Sequence, residues 1–159
     1  MYINLKAKNY IDISDKIIGD DKPTYFIADI AANHDGDLQR AKNLVWKAKE
    51  SGADCAKFQH FLSHKIVNDK EFSKLEIQSH QSSWKKSVSE IYDQYHFKRE
   101  WTETIVDECE KAKIDYLTAP YDISIIPELE KFVCAWKVGS GDITWHKSIE
   151  IMSRSDKPI

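Results

Sequence analysis

One pattern limits the folds open to this 159-residue chain more than any other. A short apolar stretch ends in polar residues, an amphipathic helical stretch follows, and the pair recurs four times. The first copy is the clearest. Phe26-Ile27-Ala28-Asp29-Ile30-Ala31-Ala32 is apolar apart from Asp29, and Asn33-His34-Asp35-Gly36-Asp37 follows at once. A carboxylate inside an apolar strand is costly unless it is paired or solvated. Gly36 permits a tight turn, and Asp37 stands where it can cap a helix that begins at Leu38. Alternating strands and helices imply a parallel sheet with helices outside it. Ligand sites in such proteins lie at the carboxyl ends of the strands.

The pattern predicts strands over residues 25–31, 54–61, 115–119 and 135–139, and helices over 38–51, 98–113, 125–132 and 143–152. Leu38, Ala41, Leu44, Val45 and Ala48 share one helical face, and Gly52 supplies a stop. Pro120 ends the third strand, and Pro127 suits the first turn of the short helix after it. Ahead of the first strand, Ile3, Leu5 and Ala7 alternate with polar residues, as do Ile11 and Ile13. They predict a hairpin of 3–7 with 10–13. Residues 1–24 are thus expected to form an N-terminal hairpin and loop, and 25–159 the βα domain. The long stretch 62–97 reads either as a functional excursion that forms a lid or as a surface insertion with its own short helix.

A closed barrel of βα units needs eight of them and about 250 residues. The expected fold is therefore α/β: a parallel (β/α) barrel of the TIM type, truncated to about its first four βα units. Lys157-Pro158-Ile159 reads as the start of a fifth strand. Such a half barrel would leave sheet edges and an apolar inner face uncovered. There is no Gly-x-Gly-x-x-Gly turn and no phosphate loop, which argues against dinucleotide-binding and nucleotide-hydrolase folds. A net charge of −3 gives no general attraction to nucleic acid or to an anionic membrane. No apolar run approaches the roughly 18 residues of a membrane span, and the first residues lack the apolar core of a signal peptide. A cytoplasmic location is expected. Cys55, Cys109 and Cys134 are far apart and read as reduced core thiols. The six histidines lack a compact ligand spacing, so no metal site is expected from these residues.

Each strand brings polar groups to its carboxyl end. Asp29 comes from the first, Lys57 and Gln59 from the second, Thr118 and Tyr121 from the third, and Lys137, Ser140 and Asp142 from the fourth. Parallel strands are buried on both faces, and an ammonium buried without an anion costs several kcal/mol, roughly. An anionic ligand between Lys57 and Lys137 would account for both lysines. So would carboxylate partners, with Asp29 and Asp142 at hand, in a structural ion-pair network. The turn Val138-Gly139-Ser140-Gly141-Asp142 offers small residues, a hydroxyl and backbone N–H groups to an anionic oxygen.

In order, Ile27-Ala28-Asp29-Ile30 with Asn33-His34-Asp35-Gly36-Asp37, Gly52-Ala53-Asp54 with Lys57-Phe58-Gln59, Ala119-Pro120-Tyr121-Asp122, Lys137 to Asp142, and Lys157-Pro158-Ile159 resemble the amino-terminal half of the N-acetylneuraminate (sialic acid) synthase family. Ser79-His80-Gln81 through Val88 resembles its bacterial surface-sugar members. The resemblance implies a (β/α)₈ barrel followed by an antifreeze-like domain. It implies condensation of phosphoenolpyruvate with N-acetylmannosamine or a related amino sugar to give a nonulosonic acid. Lys57 and Lys137 would hold the phosphoenolpyruvate anions, with Ser140 on an oxygen. Asp29, where many members carry Glu, would be an acid/base or orienting carboxylate, and Asp142 a second one; Gln59 and Asn33 would support the substrates. Ala119 stands where members usually carry a phosphate-contacting hydroxyl. The resemblance also implies a divalent metal, Mn or Mg, whose ligands are not in this chain, and a homodimer of the full-length protein. By itself this chain is expected to be inactive. Other expectations are another phosphoenolpyruvate-using aldolase-type barrel, or a non-catalytic barrel fragment acting as an interaction module.

Overall fold

Three short apolar runs pair as parallel strands and carry everything else. The structure is a computed structural model that describes residues 9–74 and 84–159. β3 (Ile27–Ala31), β4 (Cys55–His60) and β5 (Asp115–Pro120) form one sheet in the order β3-β4-β5. A hairpin, β1 (Tyr10–Ile13) with β2 (Lys16–Gly19), precedes them. The main helices are α1 (Leu38–Glu50) and α5 (Thr102–Ala112), which pack side by side on one face of the sheet. Between β4 and α5 come α2 (Ser63–Ile66), α3 (Asp69–Phe72) and α4 (Val88–Tyr95). After β5 come α6 (Ile126–Leu129) and α7 (His146–Met152).

Local sequence explains the helix ends. Asp37 accepts a hydrogen bond from the Arg40 N–H at 2.7 Å and so caps α1. Gly52, with φ of 84°, takes the left-handed turn beyond its end. Pleating then sorts β4. Ala56, Phe58 and His60 point into the helical layer and are buried, with Ala41 and Val45 of α1 and Ile105 and Cys109 of α5. Cys55, Lys57 and Gln59 point to the other, inner face. At its lower end that face is closed by a second cluster of Ile13, Cys55, Leu117 and Ala135. The hairpin is pinned there by charge. Asp115 accepts from Ser14 Oγ at 2.7 Å and from the Tyr25 hydroxyl at 2.6 Å, and Lys16 meets Asp54 at 2.7 Å.

One sequence expectation is corrected, and another lies in part outside the described residues. Residues 10–13 do form a strand, and among the described residues it pairs with Lys16–Gly19, reached through a two-residue loop with Ser14 at φ 53°. Residues 3–7 lie outside the described residues. Closing a two-residue loop costs little, whereas Ile17-Ile18 breaks the alternation that would have marked the second strand. The fourth strand, expected over 135–139, shrinks to a single bridge between Thr118 and Trp136. Two residues on, where that ladder would continue, β5 ends in Pro120, which has no N–H to donate. On its other side Trp136 donates to the Pro158 carbonyl at 2.7 Å, so the last residues do lie beside it as a neighbouring strand would. The sheet is not closed among the described residues, and Phe26 and Ile27 remain 61% and 46% exposed.

Candidate active site at the strand ends

The pleat and the register together build the site. Asp29 lies opposite Lys57 across the β3–β4 ladder. The Lys57 ammonium donates to Asp29 Oδ1 at 3.0 Å. The burial is lopsided: the Lys57 side chain is 6% exposed and that of Asp29 63%. Asp29 is therefore solvated as well as paired, because the inner face above the hairpin has no cover among the described residues. An ammonium carries three N–H donors. Among the described residues Asp29 is its one hydrogen-bond acceptor. Two residues along the same face, half-buried Gln59 stands at the mouth of a cleft.

The cleft holds about 640 Å³. Asn33, Gln59 and Tyr121 line the strand-end side, and Ile66, Trp84 and Tyr95 line the side made by the excursion. The excursion thus forms a wall over the strand ends, as well as carrying short helices of its own. Its motif at residues 79–83 lies outside the described residues. The β3 edge is bent here by a register shift between Asp29 and Ala31. Asn33 folds its amide back onto the Ile30 carbonyl at 3.0 Å, and Arg40 Nε donates to the Asn33 carbonyl at 2.7 Å.

The fourth unit differs from the expectation. Lys137 is exposed, not buried, and its ammonium rests on the adjacent Val138 carbonyl at 2.6 Å. It stands beyond the single bridge, with no strand laid over it among the described residues. Ser140 is exposed in a 3-10 turn spanning Ser140–Asp142. Asp142 is half-buried, and that desolvation raises its carboxyl above the usual range. Of the two expected carboxylate–lysine pairs, only Asp29–Lys57 forms among the described residues. Tyr121 connects the units: a Cβ on Gly139 would come within 2.9 Å of its hydroxyl. Burial pushes that hydroxyl's pKa up, and so do the charges of Asp142 and Asp29, which therefore share its surroundings.

Thr118 faces the helices, as the pleat requires, and bonds His60 Nδ1 at 2.8 Å; His60 Nε2 meets Thr102 Oγ1 at 3.0 Å. Burial holds His60 down to about 3, so this histidine is neutral core support. Among the described residues no three His, Cys, Asp or Glu side chains gather to hold a metal ion.

Asp122 was not singled out from sequence. It is 3% exposed and accepts from Lys65 Nζ at 2.8 Å, Arg99 Nη2 at 2.5 Å, and the Ser124 N–H and hydroxyl at 2.9 and 2.8 Å. Burial alone would raise this carboxyl, but the hydrogen bonds from Lys65 and Ser124 bring it down to about 2. Asp122 so ties the root of the excursion and the start of α5 to the end of β5. The signal was the Asp-x-Ser spacing behind a strand-ending proline, which reads as a self-bonded turn.

Comparison with known proteins narrows the reading. A model of the NeuB family matches residues 44–159. The chain is 31% identical over 143 residues to human N-acetylneuraminate-9-phosphate synthase, covering 89% of this chain and 39% of that one. It is 33% identical over 127 residues to the N,N'-diacetyllegionaminic acid synthase of Legionella pneumophila, covering 79% and 35%. Its fold matches the crystal structure of the spore coat polysaccharide biosynthesis protein SpsE of Bacillus subtilis, with a TM-score of 0.71, 25% identity, and 94% and 38% coverage. The chain spans about two fifths of the length of these relatives.

Proposed function

We propose, since this chain belongs to the NeuB family, that it forms the phosphoenolpyruvate-holding part of a TIM-type barrel that condenses phosphoenolpyruvate with N-acetylmannosamine or a related amino sugar. The observation that carries the reading is the Lys57 ammonium, buried in the central strand with a solvent-exposed carboxylate as its partner. Burying an ammonium on such terms is favourable when an anion completes its donors. Lys57 and Lys137 take the carboxylate and phosphate oxygens, and Ser140 donates to one of them. C3 of the enol attacks the sugar aldehyde while water adds at C2, and phosphate leaves after that addition. Asp29 and Asp142 hold or move the protons this requires, and Asn33 and Gln59 orient the sugar at the cleft. The metal ligands and the dimer implied by the family belong to the same proposal and rest on parts of the protein beyond these residues. Among the described residues no helix is long and apolar enough to cross a membrane. All three cysteines are free thiols, which suits a reducing compartment such as the cytoplasm.

Calorimetry with phosphoenolpyruvate tests the reading. The 159-residue chain is expected to bind it weakly and to release no phosphate with N-acetylmannosamine and manganese. The Lys57→Ala, Lys137→Ala double variant is expected to lose about tenfold or more in affinity. Equal binding by the double variant removes the assignment, and phosphate release above background removes the expectation of inactivity.

A further inference from the structure

We propose that His34 is the positioning residue of the elbow that follows β3: a buried neutral imidazole, held in one tautomer, that braces the turn carrying Asn33 and Asp35 along the cleft. The elbow is strained. Ala31 and Asp35 have φ of 51° and 53°, and Gly36 has 74°. Non-glycine residues keep such angles only where their surroundings hold them. Backbone bonds hold part of the turn: Asn33 N–H to Ile30 O at 2.9 Å, Asp35 N–H to Ala32 O at 3.1 Å, and Asp37 N–H to His34 O at 2.9 Å. The Gly36 N–H goes instead to His34 Nδ1 at 3.1 Å. An Nδ1 that accepts leaves the imidazole proton on Nε2. His34 is completely buried, and its Nε2 has no hydrogen-bond partner among the described residues. It sits among aromatic rings, with Phe97 and Trp101 each at 5.7 Å and edge-on. Such a box accepts an N–H at a ring face and has no place for a second charge.

The brace reaches both walls of the cleft. A Cβ on Gly36 would come within 2.7 Å of the Gln94 carbonyl, so the elbow is packed hard against the end of α4, in the excursion. Asn33 and Asp35 line the same cleft as Tyr95 of that helix. Protonation would turn Nδ1 from acceptor to donor, facing the Gly36 N–H. Burial opposes that protonation, Asp35 favours it, and His96 and Arg40 oppose it.

The tests compare the full chain with His34→Asn, whose side-chain oxygen can stand in for Nδ1, and with His34→Leu. Hydrogen exchange at the Gly36 amide, corrected for the intrinsic rate, reads the brace without any ligand. His34→Leu is expected to speed it about tenfold, and His34→Asn less than about threefold. In the wild type, protection at Gly36 falls as pH drops well below the ordinary histidine value of about 6.5; in His34→Asn it does not. Imidazole ¹⁵N shifts are expected to place the proton on Nε2. A proton on Nδ1, equal exchange in the two variants, or the same pH profile in wild type and His34→Asn would overturn the proposal. If His34→Leu does not fold, the His34→Asn profile and the tautomer decide. The link from elbow to ligand rests on the phosphoenolpyruvate reading, under which His34→Leu weakens that ligand about threefold or more. Failure of wild type to bind phosphoenolpyruvate counts against that reading alone, and exchange at Gly36 still judges the brace.

Discussion

Two carboxylate–cation pairs stand at the carboxyl ends of the same sheet, and they are built in opposite senses. At Asp122 the anion is inside, 3% exposed, while its cations Lys65 and Arg99 are 37% and 38% exposed. Four donors saturate it. At Lys57 the cation is inside and its anion, Asp29, lies in solvent. The first arrangement leaves no donor or acceptor wanting and joins three chain segments, which is what a structural clamp does. The second leaves a buried ammonium with donors to spare, which suits a ligand. Burial and satisfaction together, more than the presence of an ion pair, separate the two roles.

The comparison breaks first at Asp122. Asp122→Asn removes the charge at near-constant volume, and urea unfolding is expected to show a loss of about 2 kcal/mol. The pH dependence has a definite sign. The folded carboxyl titrates at about 2 against an ordinary 3.8, so the native state holds its charge more tightly. That stabilisation is complete above pH 3.8 and fades as pH falls toward 2, and the variant should lack this limb of the profile. Unchanged stability in Asp122→Asn would make Asp122 a bystander and remove the contrast.

A smaller effect of opposite sense is expected at the other pair. Lys57→Met exchanges a buried ammonium for an apolar side chain of similar length, and stability should stay level or rise by up to about 1 kcal/mol. A loss comparable to that at Asp122 would recast Lys57 as structural. The smallest effect sharpens the rule. Glu71 and Lys74 form a pair exposed at both ends, 61% and 60%. Glu71→Gln is expected to leave the thermal midpoint within about 1 °C.

Much of this molecule was legible in its residue order. The apolar period set the three strands of the parallel sheet and the two main helices to within a few residues, and Asp37 and Gly52 marked the ends of α1. Alternation along Cys55 to His60 put Lys57 and Gln59 on one face of β4. What escaped were features carried by partners distant in sequence. The clamp at Asp122 needs Lys65 and Arg99, 57 and 23 residues away. The brace at His34 needs Phe97 and Trp101, which the long excursion returns to the elbow.

Lys57 and Lys137 show where sequence stops. Each stands among apolar residues inside a strand pattern, and residue order alone makes them alike. The sequence by itself determined that every βα unit would end in polar groups on the inner side of a parallel sheet, because pleating and helix periodicity are local. Which of those groups is buried was decided only in three dimensions. Lys57 lies in the central strand, flanked on both sides, and is 5% exposed. Lys137 lies beyond the proline that ends its ladder, where no neighbour among the described residues covers it. Desolvation is set by what packs around a charge, and that packing is assembled from the whole chain.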